Sequence, residues 1–227
     1  MENIKYILFD LDGTLFNFDL GEKKALTDTL IKMANYHPTE EDCKWYHDMN
    51  EVCFNEFNFG IVKTRKEFHM KRFTLLKEKL NLNYDVEEVN AYYVNKLKYA
   101  SELYEDAVET INYLKDKYEL YIASNGMVQV QTKRMEESKI AKYFKRYFIS
   151  EECNHMKPDI EFFDYVFKNI KDEDKSHYVI IGDRLDTDIL GGIKAGIKTI
   201  YVNRNNINSE IKPDVEIFDL RELINIL

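Results

Sequence analysis

Cysteine is scarce in this chain: Cys43, Cys53 and Cys153 are the only three, an odd number without metal-type spacing. They support neither a disulfide framework nor a thiolate metal site, and free thiols in a reducing compartment fit best. No apolar run approaches the ~20 residues of a membrane-spanning helix. Glu2, Lys5 and Asp10 interrupt the pattern a secretory signal would need. A soluble, cytoplasmic protein is therefore expected, with no membrane partner. Basic charge is also in deficit, 32 Lys and Arg against 41 Asp and Glu, a net charge of −9. The acids are scattered, which argues against a nucleic-acid polymer as partner. A small anionic substrate stays open, because a few local cations and a metal can dominate one pocket. Repeats, low-complexity tracts and long flexible linkers are absent from the sequence.

With 227 residues, 44% of them hydrophobic, the chain can build one large domain or a core with a smaller insert. Residues 4–10 read as a first strand. From about 17 to 100 the texture turns helical and charge-rich: Ala25, Leu26, Leu30 and Met33 fall at helical spacing, and Thr39 precedes acids in a first turn. Thr64–Leu80 and Val86–Tyr99 read as two further helices, giving an all-helical insert of about four. Strands and helices then alternate. Strands are expected at 120–123, 147–149, 178–181, 199–202 and 215–218, and helices at 106–117, 128–139, 160–169, 187–195 and 220–227. This alternation predicts an α/β fold, a Rossmann-like, doubly wound parallel sheet with helices on both faces and an inserted all-helical domain. The expected division is residues 1–16 and 101–227 for the core and 17–100 for the insert.

In such sheets ligands bind beyond the carboxyl ends of the strands, near the point where strand order reverses. Four strand ends carry chemistry. Asp10-Leu11-Asp12-Gly13-Thr14-Leu15 follows the first strand; one carboxylate can attack a phosphoryl group and the other trade protons. The plainer alternative is that the two acids only cap a turn, with Gly13 allowing the bend. Ser124-Asn125-Gly126 follows the second strand: the hydroxyl can donate to a phosphoryl oxygen, and the next two backbone N–H groups, if they open a helix, form an anion site. By itself Ser124 is as good a helix cap. Lys157-Pro158 supplies a cation, with Pro158 expected in the first turn of the next helix. Asp183 and Asp188 follow the strand ending near Gly182. Asp183 suits an all-oxygen Mg²⁺ site, and Asp188 can orient that site or hold Lys157. Helix-start acids are the bland reading of this last group, but all the bland readings must hold together to dismiss the pattern.

The ordered set DLDGTL, Ser124 in ASNG, Lys157 in KPD, and GDRLDTD resembles the haloacid dehalogenase superfamily. The resemblance implies a strand order near 6-5-4-1-2-3 and a helical cap inserted between the first two motifs. It implies a Mg²⁺-dependent phosphatase. By position, Asp10 resembles the nucleophile that forms an aspartyl-phosphate, and Asp12 the general acid and base. Ser124 and Lys157 resemble the phosphoryl-binding pair, joined by Asn125 and Gly126. Asp183 resembles the metal ligand beside Asp10 and the backbone carbonyl of Asp12, and Asp188 the supporting acid. Asp12 must start protonated, so its surroundings are expected to raise its pKa relative to Asp10.

Phe16-Asn17-Phe18-Asp19, Gln129 or Gln131 after the serine motif, Ile149-Ser150-Glu151-Glu152 and Asp188–Ile193 are similar to the bacterial pyrimidine 5′-nucleotidases. That likeness implies a nucleoside 5′-monophosphate as the small phosphorylated substrate. Glu105-Asp106 departs from the Pro-Gly common at the cap hinge, and Arg184 stands where a small hydroxyl residue is common. Substrate contacts are expected from the insert, with Asn17 and Phe18 at its entrance. Trp45, Tyr46, Phe54 and Phe57 read as base platforms or, more plainly, as helical core. Arg72 reads as a leaving-group contact or, more plainly, as one half of a surface ion pair. A sugar-phosphate phosphatase or phosphomutase of the same superfamily is an alternative. So is a non-catalytic binding relative, against which the complete acid, serine and lysine set argues.

Overall fold

The computed structural model describes residue 1 and residues 3–227; Glu2, used above against a signal sequence, lies outside the described residues. The chain opens with β1 (Tyr6–Phe9) and then enters four helices, α1 (Phe18–Ala34), α2 (Glu40–Asn58), α3 (Arg65–Lys79) and α4 (Val86–Leu97). It continues through α5 (Glu105–Leu114), β2 (Glu119–Ser124), α6 (Val128–Glu136), β3 (Phe144–Ile149), the short α7 (Ser150–Cys153), α8 (Ile160–Ile170), β4 (Tyr178–Gly182), α9 (Leu190–Ala195), β5 (Lys198–Val202), β6 (Val215–Ile217) and α10 (Leu223–Ile226). It divides into two compact units, Met1–Asn17 with Ser101–Leu227, and Phe18–Ala100. No helix among the described residues is long and apolar enough to cross a membrane.

The first unit is a parallel sheet in the order β3-β2-β1-β4-β5-β6. That is the doubly wound order expected, with the reversal at β1 and β4. Side-chain alternation explains why both faces are covered. Ile7 and Phe9 enter one core with Ile111, Leu114, Ile122 and Ile181. Leu8 enters the other with Ala123, Phe148, Phe162, Phe163 and Ile180. Register sets Phe9 beside Ile122 on one side and Ile181 on the other. The chain therefore leaves β1, β2 and β4 at one sheet edge, with Asp10, Ser124 and Asp183 at neighbouring positions.

Beyond small shifts at element ends, such as α5 and α6 stopping at Leu114 and Glu136, three departures from expectation have a physical reason. β3 begins at Phe144, because Lys145 and Arg146 lie exposed on an edge strand, where charge is tolerated and guards the edge. Pro158 precedes the helix rather than joining its first turn: Asp159 is the cap residue of α8, and the Lys157–Pro158 peptide is cis. The helix expected from Thr187 begins instead as a wide turn at Leu185–Ile189, in which the Asp188 and Ile189 N–H groups both donate to the Arg184 carbonyl, at 3.0 and 3.2 Å.

The second unit is helical throughout, as expected. Thr39 caps α2 reciprocally with Asp42, Thr64 caps α3 with Glu67, and Asp85 caps α4. Tyr46, Phe73 and Tyr93 pack together in its core, and Phe57 stacks on Phe68 at 5.8 Å. Tyr46 is fully buried, as the plainer core reading has it. Arg72 corrects both readings offered for it. It is buried, donates to Asn50 Oδ1 at 3.0 Å and Asn90 Oδ1 at 3.3 Å, and lies over the rings of Phe68, Phe73 and Tyr93. Glu22, also buried, meets His47 Nδ1 at 2.7 Å and Asn50 Nδ2 at 2.8 Å.

Candidate active site

The loop after β1 folds tightly on itself. The Gly13 N–H donates to the Phe16 carbonyl at 3.0 Å, and the Leu15 and Phe16 N–H groups return to Leu11. Gly13 has φ +83°, and a Cβ there would lie 2.2 Å from Asp183 Oδ2, so conformation and space both demand glycine. Thr14 Oγ1 donates to Asp183 Oδ1 at 3.0 Å, tying this loop to the end of β4. The close approach that glycine allows is what gathers the acids. One carboxylate oxygen from each of Asp10, Asp183 and Asp188 lies within 4.8 Å of the others.

Lys157 sits among them with 1% of its side chain exposed. Its Nζ donates to Asp10 Oδ1 at 2.7 Å, to Asp188 Oδ1 at 2.6 Å and to the Ala123 carbonyl, which assigns all three ammonium hydrogens. The Asn125 side chain holds the lysine backbone on both sides: its Nδ2 donates to the Lys157 carbonyl, and the Lys157 N–H donates to its Oδ1, each at 2.8 Å. Asp188 also accepts from the Arg184 N–H at 3.1 Å. The Arg184 side chain turns instead to Asp186, through Nε at 3.2 Å and Nη2 at 3.0 Å.

Electrostatics follow from burial. Desolvation raises the Asp10 carboxyl; the Lys157 charge pulls against it, the Asp188 and Asp12 charges add to it, and the result is about 7. Desolvation, then the charges of Asp10 and Asp188, raise Asp183 well above the usual carboxylate range. Burial alone would lower the Lys157 ammonium, but the Asp10 and Asp188 carboxylates outweigh it and hold it above the ordinary lysine value. The carboxyls lifted by burial are thus Asp10 and Asp183. Three carboxylates face one lysine, all donors are oxygen, and the set suits a hard divalent cation such as Mg²⁺. Asp12 does not bring its carboxylate to this cluster. Its Oδ2 accepts from Gln131 Nε2 at 2.7 Å and its Oδ1 from Arg134.

Ser124 is buried at the end of β2, and its Oγ accepts from the Gly126 N–H at 3.2 Å and from Gln131 Nε2 at 2.9 Å. Asn125 and Gly126 precede a helix rather than open it. α6 begins only at Val128, Asn125 turns to Lys157, and the Gly126 N–H is occupied by Ser124. Of the two residues expected at the substrate entrance, Asn17 closes the first unit, its N–H donating to the Glu102 carbonyl at 2.8 Å, and Phe18 opens the second. The hinge departure also has a structural reason. Asp106 is buried and accepts from both Nη atoms of Arg204, at 2.8 and 3.1 Å, and from the Leu220 N–H at 2.8 Å. Arg204 in turn donates to the Thr14 carbonyl at 3.1 Å, bracing the Asp10–Phe16 loop.

Sequence reasoning passed over Arg134 and Arg204, gave Thr14 no partner, and noticed Gln131 only as half of an either-or. One signal was present. The inward face of α6 is Val130, Gln131, Arg134 and Met135, so two polar side chains occupy core positions of a helix.

A parallel doubly wound sheet with clustered acids and a buried lysine at its reversal point defines a class of α/β enzymes. A sequence model of the haloacid dehalogenase-like hydrolases matches residues 4–196, and the chain belongs to that hydrolase family. The HAD-hydrolase YfnB of Bacillus subtilis is 34% identical over 230 residues, covering 100% of this chain and 97% of its own. The crystal structure of YfnB bound to magnesium matches with a TM-score of 0.93, over 100% of this chain and 99% of that one, at 32% identity. The pyrimidine 5′-nucleotidase PynA of Streptococcus pneumoniae is 30% identical, covering 98% of this chain and 94% of its own. The pyrimidine 5′-nucleotidase YjjG of Escherichia coli is 29% identical, covering 98% and 97%.

Proposed function

We propose that this hydrolase is a Mg²⁺-dependent phosphatase that cleaves phosphomonoesters through an aspartyl-phosphate on Asp10, with nucleoside 5′-monophosphates as its substrate class. The observation that carries the reading is the Asp10 carboxylate itself. It stands at the end of the central strand, fixed by the buried Lys157, within 4.8 Å of the Asp183 and Asp188 carboxylates. Such a group is held still and oriented before the substrate arrives. The relatives named as pyrimidine 5′-nucleotidases support the nucleotide as substrate.

In this reading Asp10 attacks phosphorus, forming the Asp10–phosphorus bond as the ester P–O bond breaks. The proton on Asp12 passes to the leaving oxygen. Water then attacks the phosphorus and gives its proton to Asp12, and the Asp10–phosphorus bond breaks to release phosphate. Ser124, with both lone pairs of its hydroxyl accepting, directs its hydrogen to a phosphoryl oxygen. Lys157 holds Asp10 ionised and in place. Asp10 and Asp183 would hold Mg²⁺, with the backbone carbonyl of Asp12, and the ion would offset the charge between two anions. Asp188 supports Lys157. The helical segment 17–100 acts as the cap that selects the leaving group, with Asn17 and Phe18 at its entrance, and the substrate is a small metabolite.

The test is hydrolysis of a panel of nucleoside monophosphates, sugar phosphates and aryl phosphates with and without Mg²⁺. We expect Mg²⁺-dependent release of phosphate, fastest from nucleoside 5′-monophosphates. Equal rates across the panel would remove the nucleotide assignment, and no Mg²⁺-dependent release from any would remove the phosphatase.

A further inference from the structure

We infer that Gln131 and Arg134 are positioning residues that set Ser124 and Asp12 as a single unit, so that the hydroxyl for the phosphoryl group and the carboxylate for the leaving oxygen are aimed together. The inference rests on the phosphatase reading given above. The Gln131 amide is fully committed. One Nε2 nitrogen supplies two hydrogens, to Asp12 Oδ2 at 2.7 Å and Ser124 Oγ at 2.9 Å, and its Oε1 accepts from Arg134 Nη1 at 3.0 Å. That last bond fixes which end of the amide faces the two groups. Arg134 completes the frame by bonding Asp12 Oδ1, so each Asp12 oxygen has its own donor from α6.

The frame is braced on the loop it serves. The Arg134 guanidinium lies 4.7 Å from the centre of the Phe16 ring, and Phe16 is fully buried and bonded back to Leu11 in the loop that carries Asp12. Arg134 itself is 1% exposed. Placing a cation at a core position of a helix costs several kcal/mol unless partners are exact, and an apolar residue there would serve packing as well. Gln131 and Arg134 stand three residues apart, on one face of α6, and that face meets both Ser124 and Asp12.

The consequence separates the two halves of the reaction. A leaving group that departs without a proton does not need Asp12 in the first step, whereas water activation in the second step does. The experiment is rapid-quench and steady-state kinetics of the full chain with Mg²⁺, comparing a nucleoside 5′-monophosphate with p-nitrophenyl phosphate. Variants are Gln131→Met, Arg134→Met and Arg134→Lys, each checked by thermal melting. For the two methionine variants we expect kcat on the nucleotide to fall about 100-fold, the usual scale of acid–base assistance. KM should change less than about threefold by comparison. With p-nitrophenyl phosphate the burst of nitrophenolate should slow much less than nucleotide turnover, because only the Ser124 contact bears on it, and the slow steady state should follow. Arg134→Lys should recover part of the nucleotide rate. Equal losses in burst and steady state, or losses that track the melting temperature, would overturn the inference. Gln131→Met removes no charge and decides the matter if Arg134→Met does not fold. A parent enzyme without phosphatase activity on either ester would instead overturn the phosphatase reading.

Discussion

Asp183→Asn should make the metal-free protein more stable while destroying its response to Mg²⁺. The carboxylate oxygens of Asp10, Asp183 and Asp188 lie within 4.8 Å of one another, with Lys157 as the cation bonded among them. Two unit charges at that distance repel by about 3 kcal/mol at an effective dielectric of about 20. Asp183 faces two such neighbours, and the protein relieves part of the repulsion by raising its carboxyl pKa values. A net gain of about 2 kcal/mol on neutralising Asp183 is the reasonable scale, or about 4–8 °C in melting temperature for a chain of this length. The amide preserves shape and the acceptor for Thr14. The sign with pH is fixed: a carboxyl raised in the folded state contributes stability below its unfolded pKa and loses it as pH rises through the folded value. The variant's advantage in EDTA should therefore grow from about pH 4 upward. Saturating Mg²⁺, at about a hundred times its dissociation constant, should stabilise the parent by about 2.7 kcal/mol and the variant by far less. Calorimetry of both proteins at pH 8, in EDTA and in Mg²⁺, decides it. A variant less stable than the parent in EDTA, or one that gains as much from Mg²⁺, would refute the charge argument.

Two further predictions follow from buried charges. Lys157→Met leaves Asp10 and Asp188 without their shared cation and should cost about 3–5 kcal/mol in urea denaturation without divalent ions; adding Asp188→Asn should restore part of the stability but no activity. In the helical unit, the hydrogen bond to Glu22 is the largest effect on the His47 imidazole and, against the loss of solvent, raises it to about 9. This stabilisation is complete below about pH 6.5 and is lost as pH rises towards 9. Because His47 is a third exposed, screening reduces it to about 1 kcal/mol. His47→Gln should thus cost most near pH 6 and nothing at pH 10, and an equal cost at both would contradict the pairing.

The sheet was legible because buried parallel strands leave apolar runs such as Tyr178–Ile181, and because chemistry sits at their ends in any doubly wound fold. β3 was half hidden, since an edge strand can begin with exposed Lys145 and Arg146. Asp10, Ser124, Lys157, Asp183 and Asp188 could be named from their positions, but their bonding could not. Nothing in the order of residues tells that Lys157 spends all three hydrogens on the protein, or that Asn125 clasps its backbone rather than opening a helix. Those facts depend on contacts across more than thirty positions of sequence. Arg72 misled because an arginine on a charge-rich helix reads as surface, and its partners Asn50, Asn90 and Tyr93 come from other helices. Gln131 and Arg134 were visible only as polar residues on the inward face of α6.

The central claim is that Asp10 becomes phosphorylated, and the direct measurement is mass analysis of the chain quenched in acid during turnover of a nucleoside 5′-monophosphate with Mg²⁺. The account predicts one phosphoryl group on the peptide that carries Asp10, removed by hydroxylamine and absent in Asp10→Asn, which should not turn over. Full turnover with no phosphoryl group on that peptide, or an Asp10→Asn variant that works at the parent's rate, would contradict it.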